Sequence, residues 1–308
     1  MIKEIAPGVT WLGFNISGVY LVGTPGEPWA VVDTSAPGHF EAIRSAAEEV
    51  FGVGAKPDAI ILTHGHFDHY GSALQLATYW NVPIYAHRME LPYLTGKDQL
   101  PPLDPTVGGF FAFASRLLPV SGTDLGEYVH ALPEDGSVPG MPVWRWIHTP
   151  GHTPGHIALF RESDRTLLAG DALATVNADD AVAMMTRRQQ ISRPITPAVS
   201  DWPATRRSLE ALAALRPYVI GAGHGIPMTG DGVADELAAF AAEFRAPKHG
   251  RYVPEPARFD ENGVAFLPLP APDPLPKVAL GLAVAAAVVG VTAYYTTQSR
   301  KQEDKAER

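Results

Sequence analysis

Thr63-His64-Gly65-His66-Phe67-Asp68-His69 follows directly on Ala59-Ile60-Ile61-Leu62, and this junction decides how the chain is built. The four apolar residues form a short continuous run, suited to a strand buried on both faces. Such a strand delivers whatever comes next to a loop at its end, and loops at strand ends are where scaffolds place chemistry. Within the loop, ligand-type side chains stand at positions i, i+2, i+4 and i+5. In a turn, alternate side chains converge on two neighbouring points, so one cluster can serve two ions.

Outward from this loop, the same pairing of an apolar run with a Gly-containing loop recurs at Gly151-His152, Gly170-Asp171 and Gly223-His224, and Asp33 ends the run Ala30-Val31-Val32. Together these segments offer five imidazoles and two carboxylates besides Asp33. A histidine standing alone is usually structural, which is the reading given to His39, His87, His130, His148 and His249. His156 follows His152 by four; a hydrogen bond supporting the ligand loop and plain packing are both open for it. Seven ligand-type residues, most of which stand where an apolar, β-rich stretch gives way to a loop, form a set, and the set is read as a metal centre.

The order HxHxDH, His, Asp, His, with a leading Asp, resembles the metallo-β-lactamase-fold hydrolase superfamily over about Ile5 to Phe244. The resemblance implies an α/β protein, a four-layer αββα sandwich with metals in a cleft along the top of its two sheets. It further implies that His64, His66 and His152 bind a first metal, that Asp68, His69 and His224 bind a second, and that Asp171 bridges them. Asp33 would match the leading aspartate that supports the ligand loop, and Asp68 the catalytic carboxylate. The run Thr149-Pro150-Gly151-His152-Thr153-Pro154-Gly155-His156 with Gly170-Asp171 looks more like the glyoxalase II and lactonase branch than like thiolate-using β-lactamases. Those need a cysteine at the second metal, and this chain has Cys 0. The same lack removes the Cys-Gly-Arg pattern of glutathione thioesterases, and His66 stands where flavodiiron relatives carry Glu.

The donor set suits the chemistry. Zinc accepts imidazole nitrogen and carboxylate oxygen at about 2.0 to 2.2 Å, from neutral His and ionised Asp. Two ions about 3.5 to 4 Å apart can share a hydroxide, because metal binding lowers the pKa of water from about 15.7 toward about 7. The expected cofactors are two Zn2+, with Fe or Mn compatible with the same donors, and the expected activity is hydrolysis of a small ester, lactone or thioester. Two alternatives stay open at this point, a mononuclear iron persulfide dioxygenase and a membrane-tethered binding module without turnover.

Composition narrows the partners. In 308 residues, 46% hydrophobic and 9% aromatic residues suffice for a sizeable core. A formal charge of -9 argues against nucleic acid as the partner and favours a small-molecule substrate. Met1 to Pro7 lacks the basic start and apolar stretch of an export signal, which places the catalytic domain in the cytoplasm.

Along the chain, strands are expected at Val9 to Phe14, Gly18 to Val22, Ala30 to Val32, Val82 to Ala86, Val129 to Leu132, Val143 to His148, Ile157 to Arg161, Thr166 to Ala169 and Tyr218 to Gly221. Helices are expected at Phe40 to Val50, Gly71 to Tyr79, Trp202 to Leu215 and Asp231 to Phe244. Leu91 to Leu118 and Leu173 to Val199 fit no regular element and are expected to wall the cleft. Residues 1–245 form the catalytic domain in this reading. Residues 246–277 hold eight prolines and are expected to be a stiff linker with one β-like run, Gly263 to Leu267. Residues 278–299 carry no charge, and 22 of them at about 1.5 Å each reach roughly 33 Å, enough for a bilayer core of about 30 Å. A single transmembrane helix is therefore expected there, anchored by Lys277, Arg300 and Lys301 and followed by a charged tail, 300–308.

Overall fold

The structure, a computed structural model, describes residues 1–14, 16–118 and 122–273. Among these, seven strands form one sheet in chain order: β1 (Ile2–Ala6), β2 (Val9–Gly13), β3 (Gly18–Gly23), β4 (Trp29–Val32), β5 (Ala59–Ile61), β6 (Ile84–Ala86) and β7 (Val129–Ala131). Tight turns make β1 to β4 antiparallel, whereas longer helical connections make β4 to β7 parallel. Then follow β8 (Trp144–His148), β9 (Ile157–Arg161), β10 (Thr166–Gly170), the separate pair β11 (Ala174–Val176) and β12 (Gln189–Ser192), β13 (Val219–Ala222) and β14 (Met228–Thr229). Five of these make the second sheet in the order β14-β13-β10-β9-β8, with β10 and β13 parallel.

Both faces of the inner strands are apolar, and the period of two sorts them. On β3, Val19 and Leu21 join a core with Ile43 of the helix Phe40–Phe51 and Leu76 of the helix Ala73–Trp80. Tyr20 and Val22 point the other way, into a core shared with Ile157, Leu159 and Leu168 of the second sheet. On β9 and β10, Ala158, Phe160 and Leu167 face a third core with Trp202 and Leu209 of the helix Trp202–Ala214 and Leu237 of the helix Val233–Glu243. Three cores between four layers give the expected αββα sandwich.

Register then aligns the exits from the strands. β4 and β5 pair Val32 with Ile61, so Asp33 and the Leu62-Thr63 step leave the first sheet side by side. β10 and β13 pair Gly170 with Ala222, so Asp171 and Gly223 leave the second sheet together.

The proline-rich stretch departs from expectation. Residues 1–270 form one compact unit, so residues 246–270 are part of it rather than a stiff linker. Proline forbids a helix or a central strand but does not forbid burial, and Tyr252 is 1% exposed within the core under the second sheet. The acidic residues of the loop after residue 91 capture this returning chain. Asp104 accepts from the Arg251 backbone N–H, Asp98 Oδ2 accepts from Val264 N at 2.7 Å, and Tyr252 donates to the Pro102 carbonyl at 2.8 Å. A small hairpin, β15 (Arg258–Asp260) with β16 (Gly263–Phe266), covers the expected β-like run. The expected transmembrane segment 278–299 and the tail 300–308 lie outside the described residues. Among the described residues no helix is long and apolar enough to cross a membrane.

Candidate metal centre

Four strand ends supply the centre: Asp33 follows β4, His64 to His69 follow β5, Asp171 follows β10 and His224 follows β13. The loop after β8 adds His152. All seven expected ligand residues meet at one place. His64, His66 and His152 present their ligand atoms as one group, Asp68, His69 and His224 as another, and His64, His69 and Asp171 as a third, each within 4.8 Å. Asp171 stands between the groups, with Oδ2 at 3.3 Å from His152 Nε2 and 3.1 Å from His224 Nε2.

Hydrogen bonds behind the cluster fix which ring nitrogen carries the proton on His69 and His224. His69 Nδ1 lies 2.8 Å from Asp33 Oδ2, and a carboxylate only accepts, so Nδ1–H is the donor and the Nε2 lone pair faces inward. His224 Nδ1 likewise donates to the Ile16 carbonyl at 2.8 Å. Asp33 also accepts from Thr63 N and Thr63 Oγ1, both at 2.8 Å, tying the ligand loop to the end of β4. Ser17 Oγ donates to the Asp68 carbonyl and Thr34 Oγ1 to that of His69 at 2.8 Å, which holds the short turn Phe67–Tyr70 in place.

The resulting inner surface is built of acceptors. The Nε2 lone pair of His69 faces Asp171 Oδ1 at 3.5 Å, and that of His224 faces Asp68 Oδ2 at 3.4 Å. His64 Nε2, His69 Nε2 and Asp171 Oδ1 are buried without a hydrogen-bond partner among the described residues. His66 Nδ1 and His152 Nε2 share one hydrogen bond at 3.0 Å; the remaining acceptors face one another with no donor between them among the described residues, the complement of a cation, so the donor set fits divalent metal. The titration of the cluster agrees. Burial opposes charging His69, yet Asp171, Asp33 and Asp68 outweigh it and raise the imidazole to about 10, so that in the absence of a metal a proton takes the cation's place. His64 is held well below its ordinary range by burial and by neighbouring imidazoles, as an inward-facing lone pair requires.

Backbone approach is as tight as the side chains. A Cβ on Gly223 would lie 2.1 Å from Asp171 Oδ1, and Gly170 adopts φ +49 with His156 Nε2 2.7 Å from where its Cβ would be. His156 Nε2 accepts from the Asp171 backbone N–H at 2.8 Å, and its Nδ1 pairs with Thr149 Oγ1 at 2.8 Å. Of the two readings open for His156, the hydrogen-bonded one is found.

One residue of the centre escapes sequence reasoning. Glu90 is fully buried, and its Oε2 accepts from Gly65 N while Oε1 accepts from Thr153 Oγ1 and Gly155 N, each at 2.7 Å. It joins the first histidine loop to the loop that carries His152. Burial pushes its carboxyl up to about 7, against the three donors, which favour the ionised form. The lone histidines stay apart from the cluster; His87 and His148 stack on each other with ring centroids 4.3 Å apart.

Beside the metal-ligand cluster lies a cavity of about 330 Å³, onto which His66, Asp68, His152, Asp171 and His224 open. Its walls come from the two stretches expected to supply them, through Leu100, Leu103, Phe111 and Leu118 on one side and Ile195 and Ala198 on the other.

Comparison with known proteins agrees with this geometry. The profile of the Metallo-beta-lactamase superfamily matches residues 12–224. The probable metallo-hydrolase YflN of Bacillus subtilis (strain 168) is 42% identical over 241 residues, covering 77% of this chain and 91% of that protein. The probable metallo-hydrolase YybB of the same organism is 32% identical over 173 residues, 56% of this chain and 65% of its own length. Among solved structures, the BLEG-1 B3 metallo-beta-lactamase is similar in fold, with a TM-score of 0.53 at 24% identity over 77% of this chain and 98% of that one.

Proposed function

The chain belongs to the metallo-beta-lactamase superfamily, and from that premise we propose that it is a dinuclear metal-dependent hydrolase of a small ester, lactone or thioester, in the glyoxalase II and lactonase-like branch. The observation that carries this reading is the inward convergence of the His69 and His224 lone pairs on the carboxylates of Asp68 and Asp171. His64, His66 and His152 would hold one ion and Asp68, His69 and His224 the other, with Asp171 between them. Zinc suits these nitrogen and oxygen donors, and iron or manganese would use the same ones. Ions bound there supply Lewis acidity to a carbonyl oxygen and acidify water.

The chain's own residues do the rest. Asp33, Glu90 and His156 hold the ligand loops rigid. Asp68, which lines the cavity, takes the proton released when water adds to the acyl carbon and returns it to the departing oxygen or sulfur. The substrate's acyl–oxygen or acyl–sulfur bond breaks, and a carboxylic acid and an alcohol or thiol leave. Residues 278–299 anchor the protein in a membrane in this proposal, with the catalytic domain in the cytoplasm.

A hydrolase screen of the purified protein against Asp68→Ala and His152→Ala tests the centre. The parent should cleave at least one ester, lactone or thioester and both variants should lose that activity; variants that match the parent would remove the proposed site. Metal analysis should find about two ions per chain, whereas a single iron with oxygen uptake would replace the reading by the persulfide dioxygenase. Deletion of residues 278–308 should move the protein from the membrane fraction to the soluble one.

A further inference from the structure

The cavity beside the ligand cluster has a chemistry of its own. Away from the five ligand-type residues that open onto it, its wall is built of Leu, Ile, Pro, Phe and Ala, with Ser115 and Arg116 as the polar exceptions among the described residues. Both exceptions are already engaged by backbone carbonyls. Ser115 Oγ donates to the Ala112 carbonyl at 2.8 Å, and the Arg116 guanidinium donates to the carbonyls of Ala112, Phe113 and Pro105 at 3.1 to 3.3 Å. Arg116 also lies over the Phe113 ring, 5.6 Å from its centroid. No lysine, amide or tyrosine lines the space among the described residues. A carboxylate or phosphate entering it would give up hydration and gain little in return.

We infer that the cavity is an acyl-chain site and that the substrate is an uncharged ester or thioester with an unbranched aliphatic acyl group of about six to ten carbons. The length follows from volume: 330 Å³ at about 30 Å³ per water-sized group holds on the order of ten non-hydrogen atoms. The carbonyl end sits where His66, Asp68, His152, Asp171 and His224 meet the cavity, and the chain runs toward Leu103, Phe111 and Leu118. This inference rests on the hydrolase reading for the reaction, but the site itself is independent of turnover.

Two measurements on the full-length, metal-loaded chain separate the two. Turnover of p-nitrophenyl acetate, butyrate, hexanoate, octanoate, decanoate and dodecanoate should rise in kcat/KM by about three- to fourfold per methylene and level off near ten carbons. An ester of the same length bearing a terminal carboxylate should lose that gain, and Phe111→Ala should lower the octanoate-to-acetate ratio by about tenfold. Calorimetric titration should show octanamide binding roughly a hundredfold tighter than butanamide, with a negative heat-capacity change. Equal binding of the two amides, or a flat chain-length profile, overturns the acyl-chain site while leaving hydrolysis intact. Chain-length-dependent amide binding without hydrolysis of any ester upholds the site and removes the hydrolase reading instead.

Discussion

His69 Nδ1 and Asp33 Oδ2 lie 2.8 Å apart at the back of the metal-ligand cluster, and both side chains are buried. Asp33 reaches this position with φ 57, a left-handed conformation that costs a non-glycine residue energy and persists because its carboxylate is held by three donors.

Asp33→Asn tests that relationship. An amide cannot accept on both ends, so its NH2 would face the His69 ring and the Thr63 hydroxyl. His69 would then move its proton to Nε2, where the inward lone pair is needed. Metal affinity should fall by about 10- to 100-fold, measured by competition with a chelator, while circular dichroism stays unchanged.

Glu90 acts between loops rather than within one. Glu90→Leu leaves the donors of Gly65, Gly155 and Thr153 buried and unmet, at about 1–3 kcal/mol each. The unfolding midpoint should drop by roughly 6 to 12 °C for a loss of about 3 kcal/mol. Glu90→Gln keeps the oxygen that serves Thr153 and Gly155, so its drop should be smaller. Equal midpoints for parent and Glu90→Leu would show that the loops do not depend on this carboxylate.

Gly223→Ala should impair the centre without unfolding the protein. The added methyl would lie 2.1 Å from Asp171 Oδ1, so the carboxylate or the loop must shift by about an ångström, a displacement that costs about 100-fold in rate. Steady-state kcat/KM together with metal content reads the effect.

The buried imidazoles give the metal-free protein a defined acid sensitivity. Burial lowers His156 to about 3 and His87 to about 4, below the ordinary 6.5. As pH falls through 6.5 the unfolded chain takes up these protons first, so the stability they contribute is full above 6.5 and is lost between 6.5 and about 4. Glu90, raised to about 7, works in the other direction and loses stability as pH rises from about 4.5 to 7. With more histidines than acids shifted this way, the unfolding midpoint in chelator should fall from pH 6.5 to 4. His87→Asn, whose Oδ1 stands where Nδ1 accepts the Met89 N–H, should flatten that slope.

The ligand set was legible because metal chemistry restricts residue type and because each ligand follows an apolar run that stops at a loop. His64, His152, Asp171 and His224 could be picked out without knowing their partners. Glu90 could not, since nothing in Arg88-Met89-Glu90-Leu91 separates a buried acid from a solvated one; its role depends on two loops far away in sequence. The segment after Phe244 misled for a related reason. Its prolines do exclude a helix, but the aromatic ring of Tyr252 and the acids at 98 and 104 decide where it lies, and those contacts are long-range.

That packing is itself testable. Tyr252→Ala should cost about 3 kcal/mol and lower the unfolding midpoint. A neutral result would restore the stretch to the role of a free spacer.

His64 and Asp171 belong to different sheets, one reached before residue 132 and the other after residue 143. Each half of the polypeptide therefore holds an incomplete grip on the ions, and only docking of the halves across Tyr20, Ile61, Leu159 and Leu168 completes it. The complete ligand set therefore exists only where the two sheets meet. Loosening that seam from within, far from any imidazole, would be felt as a weaker hold on the cations.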